Sequence, residues 1–205
     1  MNDEYNFMAK IYDPAFYFAL NPIRKAVLNE LYQHKDNAII DICCGTGNQL
    51  KMLAKNGFKN LSCLDISESM LQVAKNGNSQ LKIYQKDATN TEFDGEAFDI
   101  AIISFALHEK DRKTQEKMIN ETFRIVRKGG LILIVDYVFD EKTITIGRIG
   151  ISMVERIAGK EHFKNFRNYI KHNGLISLMT PDRFKLLKEE WKLMNGVTLS
   201  TYQRL

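Results

Sequence analysis

Between residues 38 and 137, apolar positions follow two alternating rhythms. Five short runs have the length and composition of buried or half-buried strands: Ala38 to Cys43, Leu61 to Asp65, Leu81 to Gln85, Phe98 to Ser104 and Leu131 to Tyr137. Between them, apolar residues recur every three or four positions, the spacing of one helix face. Asn48 to Asn56 reads as a helix closed by Gly57. Ser67 caps a second, with Met70, Leu71 and Ala74 inward and Gly77 at its end. Asp111 to Arg127 forms a third, with Met118, Ile119, Thr122, Phe123 and Val126 inward, ended by Gly129-Gly130. Before the first strand, Pro14 to Tyr32 reads as a helix that Asp13 can cap and Pro14 can open. This alternation predicts an α/β fold with a doubly wound, mostly parallel sheet and right-handed crossovers.

The rhythm changes after Tyr137. Ile144 to Ile157 and Glu161 to His172 read as helices interrupted at Gly159, and Pro181 to about Glu190 as another. Trp191 to Met194 and Val197 to Tyr202 then flank Asn195-Gly196, the dipeptide that suits a tight hairpin turn, so the sheet is expected to end in an antiparallel pair. The resulting organisation is one domain over 1–205: an N-terminal helical lid (1–33), a core (38–137), a helical cap (138–180), and a closing helix and hairpin (181–205).

Composition narrows the field. At 44% hydrophobic and 26% charged residues, the chain is ordinary globular material. A chain of 205 residues buries roughly 70% of its unfolded surface, enough for a core without staples. The longest aliphatic run, Leu131 to Val135, stops at Asp136, too short for a membrane span. Met1-Asn2-Asp3-Glu4 is acidic and lacks the apolar core of a signal peptide. Three cysteines, Cys43, Cys44 and Cys63, argue against a disulfide framework and for a reducing cytoplasm. No Cys or His cluster has metal-ligand spacing, so no metal is expected. The net charge of +4 comes largely from 138–180, where seven Lys/Arg face four Asp/Glu. That surplus marks either solvated helices or an anionic surface, and no RNA-binding signature accompanies it.

The candidate chemistry lies where the first strand meets the first core helix, at Asp41-Ile42-Cys43-Cys44-Gly45-Thr46-Gly47. Ligands of open α/β sheets bind beyond the carboxyl ends of the strands. Gly45 and Gly47 let backbone approach a ligand, and the following helix aims free N–H groups at it. Asp65, 18 residues after Gly47, ends the second strand and can accept both hydroxyls of a ribose. A dinucleotide fingerprint needs a third glycine where this chain has Leu50, and Asp41 would repel a pyrophosphate. An acid there favours a ligand bearing an ammonium or sulfonium, and S-adenosylmethionine combines both with an adenosine.

Asp41 to Gly47 resembles the first motif of class I S-adenosylmethionine-dependent methyltransferases. Further blocks agree in order and spacing: Leu64 to Leu71, Lys86-Asp87-Ala88, Phe98-Asp99 leading to Ser104-Phe105-Ala106-Leu107-His108, and Arg124 to Leu131. The closest subgroup by look is the ubiquinone/menaquinone biosynthesis methyltransferases, which the segment Ala9 to Asp13 resembles as well. The resemblance implies a seven-stranded Rossmann-like methyltransferase fold, with a helical insertion before the last helix. It implies that Cys43, Cys44, Gly45, Thr46 and Gly47 line the methionine part of the cofactor and that Asp41 meets its ammonium. It implies further that Asp65 holds the ribose, that Ile66 and Met70 pack on the adenine, and that Asp87 and Ala88 bond its edge. Ser104 and Phe105 would face the amino acid and sulfonium. Cys43 stands where the family's commonest form has glycine, and Lys128 where it has proline.

Methyl transfer needs orientation and exclusion of water more than a protein nucleophile. His108, four residues beyond Ser104, is the candidate general base, and equally a loop-packing residue. Tyr12 is the candidate aromatic cover for the sulfonium or acceptor. Asp136 and Tyr137 end the fifth strand at the same rim. The expected acceptor is a small molecule, a quinol or other aromatic, enclosed by the cap and the N-terminal segment. The alternatives are a protein or nucleic-acid acceptor, or a non-catalytic cofactor-binding domain. No nucleic-acid partner is expected, and the chain is expected to be a monomer or homodimer.

Overall fold

Seven strands in the order β3-β2-β1-β4-β5-β7-β6 form one sheet in the computed structural model, which describes residues 20–76 and 80–205. Strands β1 (Ala38–Ile42), β2 (Asn60–Asp65), β3 (Lys82–Gln85), β4 (Phe98–Ser104) and β5 (Val126–Tyr137) run parallel. Strand β7 (Val197–Arg204) lies antiparallel on β5, and β6 (Phe184–Lys192) pairs antiparallel with β7 at the edge. The parallel registers bring the carboxyl ends of β1, β2, β4 and β5 to one rim, with Asp41 opposite Cys63 and Ser104 opposite Val135.

Helices cover both faces. Residues 20–30 form α1, followed by α2 (Asn48–Lys55), α3 (Glu68–Lys75) and α4 (Arg112–Ile125). The central strands are sealed on both sides: Ile40, Ala101, Ile103 and Ile134 point into one apolar cluster, and Ile39, Ile100, Ile102 and Leu133 into the other. This accounts for their near-continuous apolar sequence. After β5 the chain builds α5 (Thr145–Ala158) and α6 (Lys160–Lys171), separated by Gly159 at φ 132°. A 3₁₀ turn (Gly174–Ser177) leads back to the sheet.

Two expectations change. Helix α4 ends at Ile125 rather than Arg127, because Val126 is drawn into register with Phe98 and begins β5. No helix spans 181–190: Phe184 onward is β6, the long first arm of the expected hairpin. Lys and Glu are good helix formers, yet eight pairings with β7 outweigh local preference, and exposed Lys and Glu are what an edge strand tolerates. The expected helix from Pro14 is described only from residue 20; its start, and Gly77, lie outside the described residues.

Candidate cofactor and active site

At the end of β1 the backbone turns through three left-handed residues, Cys43 (φ 59°), Gly45 (φ 53°) and Gly47 (φ 70°). Glycine is required at 47 for space as well: a Cβ there would stand 3.0 Å from the Ala74 Cβ of α3. At Gly45 a Cβ would meet nothing within 4 Å, so this part of the loop faces open space. Asp65 ties the loop to β2, its Oδ2 accepting from the Gly45 N–H and its Oδ1 from the Ser67 N–H, each at 2.9 Å. A carboxylate has about four lone-pair sites, so two remain for ribose hydroxyls. Thr46 is buried beneath the loop, and its Oγ1 accepts from Asn48.

The other predicted residues follow the rim. Ile66 is 66% exposed just beyond Asp65, an apolar side chain presented to solvent where a base would stack. Met70 is half-buried on α3, its N–H donating to the Ser67 cap. Asp87 is exposed and accepts from the Thr89 N–H, while Ala88 beside it is buried. Phe105, at φ 54°, follows Ser104 and lays its ring edge-on to Tyr137. Tyr12 lies outside the described residues.

Asp41 decides the fit of the cofactor. It is 3% exposed, and its Oδ1 has no hydrogen-bond partner. Burial first and the charge of Asp65 second, opposed by Arg24, push its pKa up to about 8. An orphaned buried carboxylate beside an open glycine loop is a socket for a cation, which suits the ammonium of an amino acid and not a phosphate. The residues present therefore fit S-adenosylmethionine.

The cysteines correct the sequence reading. Cys44 and Cys63 form a disulfide with Cα atoms 5.6 Å apart, joining the glycine loop to β2 two residues before Asp65. Cys43 is the free thiol; desolvation and the nearby Asp65 charge hold its pKa well above the ordinary value, so it is a poor nucleophile. The bridge went unseen because its partners sit 19 residues apart on separate elements that only the fold brings together. Closing a loop of this size restricts the unfolded chain by about 3 kcal/mol. Reduction, or Cys44→Ala with Cys63→Ala, should lower the melting temperature by about 6–12 °C. A calorimetric scan with and without dithiol measures it; no shift would mean the bridge adds nothing to stability.

Beyond the cofactor loop, His108 stands in a buried charged cluster. Its Nδ1 is 2.6 Å from Asp136 Oδ1 and its Nε2 is 3.6 Å from Glu155 Oε2 on α5. The Asp136 carboxylate also accepts from the backbone N–H groups of Leu107, His108 and Tyr137. Burial opposes charge on His108, but Asp136, Glu109 and Glu155 outweigh it and raise the pKa. Burial raises that of Glu155, against the pull of His108 and a hydrogen bond from Tyr137. Tyr137 and Phe166 wall the imidazole. Sequence reasoning found His108, Asp136 and Tyr137 and missed Glu155. The available signal was a lone acid in the otherwise uncharged-or-basic stretch Thr145 to Ala158.

Residues 39–130 match the family model described as a methyltransferase domain. The ubiquinone/menaquinone biosynthesis C-methyltransferase of Campylobacter jejuni is 29% identical over 118 residues, covering 55% of this chain and 49% of its own. The demethylmenaquinone methyltransferase of Leptospira interrogans is 29% identical over 150 residues, covering 66% and 59%. The chain thus spans about half the length of the curated relatives it matches. Among solved structures, a SAM-dependent methyltransferase of Methanosarcina mazei superposes with a TM-score of 0.64 at 18% identity, covering 84% of this chain and 94% of that one. The fold is that of the methyltransferases, a seven-stranded mixed sheet with antiparallel end strands.

Proposed function

We propose that this chain, whose residues 39–130 match a methyltransferase-domain family model, transfers a methyl group from S-adenosylmethionine to a small-molecule acceptor, a quinol or other small aromatic. The observation that carries the reading is the pairing of an orphaned buried acid, Asp41, with a glycine loop tied to Asp65. When bound, the cofactor supplies a methyl carbon activated by a positive sulfur. Asp41 neutralises the ammonium, Asp65 takes the ribose hydroxyls, Ile66 and Met70 cover the adenine, and Asp87 with Ala88 bonds its edge. Cys43, Cys44, Gly45, Thr46 and Gly47 line the amino-acid end, with Ser104 and Phe105 opposite.

The acceptor side is built from the ends of β4 and β5 and from α5 and α6. His108 is oriented through Nδ1 by Asp136, which leaves Nε2 toward Glu155. Above its raised pKa, where the imidazole is neutral, an acceptor hydroxyl that takes the place of Glu155 can pass its proton to Nε2, and such general-base help is worth about 10²–10⁴-fold. Until then His108 is 2% exposed and holds the β4–α4 loop. The quinone-biosynthesis relatives favour an aromatic acceptor.

Titration with S-adenosylhomocysteine tests the reading. The wild-type chain binds, and Asp65→Ala weakens binding by about 1.5–3 kcal/mol, roughly ten- to hundredfold, for lost hydrogen bonds to a charged group. A folded wild-type sample that binds nothing rejects the cofactor. Binding with no label transferred to any of a panel of phenolic and quinol acceptors leaves a cofactor-binding domain instead.

A further inference from the structure

We propose that the outer face of α5, with the β6–β7 turn, is a docking surface for a lipid bilayer carrying anionic headgroups. Ile146, Ile149, Met153 and Ile157 follow one another at three- and four-residue steps and so form a single stripe along the helix. Their exposures are 70, 56, 59 and 83%. The opposite face of the same helix is the one that packs: Gly147 and Glu155 are buried, and Ile151 lies against Gly196. Leu193 and Met194, also exposed, lie beside the start of α5, where the Ile144 N–H donates to the Met194 carbonyl and Gly147 packs on the Met194 side chain. Seven of the thirteen exposed large apolar residues among those described belong to this helix and its flanks, counting Ile144. Single exposed apolar residues need no explanation; a concentrated stripe of them marks a binding surface.

Charge identifies the occupant. The one acid of α5, Glu155, points inward to His108; of its two arginines Arg156 is exposed beside the stripe, and Arg148 is half-buried at the helix flank, donating to the Thr143 and Asp140 carbonyls. Both guanidinium groups are steadied against rings, Arg148 on Phe139 at 5.6 Å and Arg156 on Phe163 at 4.8 Å. Neither pairs with a carboxylate among the described residues. They border an open hollow of about 260 Å³ that Ile149, Ser152 and Met153 complete, basic at one side and greasy at the other. Lys142, Lys160 and Lys164 are exposed nearby, against Glu141 and Glu161.

Apolar residues flanked by cations are the arrangement that seats a helix in the headgroup region of an anionic membrane. A second copy across a two-fold axis would bring this basic face against the same basic face, and α5 presents no outward acid to pair with the arginines. The helix rests on the surface rather than crossing it: 14 residues make about 21 Å, short of the roughly 30 Å apolar core. Among the described residues no helix is long and apolar enough to span.

Co-sedimentation of the full chain with vesicles tests this, using phosphatidylcholine alone and phosphatidylcholine mixed with phosphatidylglycerol. The chain should partition onto the mixed vesicles and far less onto the neutral ones, and salt should weaken the partition. Ile149→Ser with Ile157→Ser should lower it at least about tenfold, and Arg156→Gln should lower it mainly on anionic vesicles. Circular dichroism and melting controls should be unchanged, because all three side chains are exposed. No partition by the folded chain overturns the proposal. Equal partition by the double serine variant overturns it too. So does a solution dimer that the same substitutions dissociate.

Discussion

Replacing Asp136 with Ala should cost about 3–5 kcal/mol of folding stability, which for a chain of this length lowers the melting temperature by roughly 6–20 °C. The magnitude follows from what the carboxylate holds. It is 1% exposed and receives the N–H groups of Leu107, His108 and Tyr137 together with His108 Nδ1. Alanine leaves all four buried and unpaired, beside an imidazole whose raised pKa that carboxylate helps to maintain. A raised histidine pKa means that its stabilisation is full below about 6.5, the unfolded value, and fades as pH climbs through the folded value. The stability gap between wild type and Asp136→Ala should therefore be widest in mild acid and narrow above neutrality. Asp136→Asn is the informative companion. An amide can serve one side of the cluster, but its NH₂ then opposes an N–H that the second carboxylate oxygen accepted, so it should recover only part of the loss. Chemical denaturation at pH 5.5, 7 and 8.5 measures all three. An Asp136→Ala loss below about 1 kcal/mol would show that the cluster is solvated in solution and not the sealed ion pair drawn above.

What the sequence revealed of this molecule was what local chemistry dictates. The glycine loop, Asp65 at the end of β2, the Ser67 cap and the Asn195-Gly196 turn depend on residues within a few positions of one another. Each was readable for that reason. The misreadings involve partners distant in the chain. Phe184 to Lys192 has the composition of a helix and becomes a strand because β7 presents an open edge to it. Cys44 finds Cys63 only after β1 and β2 align. Glu155 acquires meaning only when α5 folds over the ends of β4 and β5 and carries it to His108, 47 positions away in sequence. The spacing of apolar residues over 144–157 marks a helix, and only one side of that helix packs. The face bearing Glu155 and Gly147 packs, while the stripe of Ile146, Ile149, Met153 and Ile157 stays in solvent. Periodicity reports that a helix has an apolar face and says nothing about which neighbour covers it.

Asp41 should behave as the opposite of Asp136, and the contrast tests the cofactor site directly. Both carboxylates are buried in one sheet, on β1 and β5 either side of β4; Asp136 is surrounded by donors, and Asp41 leaves an oxygen with none. Its pKa of about 8, raised first by burial, means that the folded chain keeps a proton which the unfolded chain releases near 4. Between those values the native state binds more protons, so stability falls as pH rises from about 4 to 8, by on the order of 5 kcal/mol across the window. Asp41→Asn removes the titration. It should match the wild type near pH 4 and exceed it progressively toward pH 8, while losing affinity for S-adenosylhomocysteine. Ligand binding reverses the preference, because an ammonium beside Asp41 favours the ionised carboxylate. Binding at pH 6.5 should then release close to one proton per site, and affinity should rise with pH until it levels near 8. Calorimetry in two buffers of different ionisation enthalpy reads that proton, and Asp41→Asn should release none from this site. Binding with no proton released by the wild type would mean that the ammonium lies elsewhere, and that the orphaned oxygen is satisfied by water instead of by the cofactor.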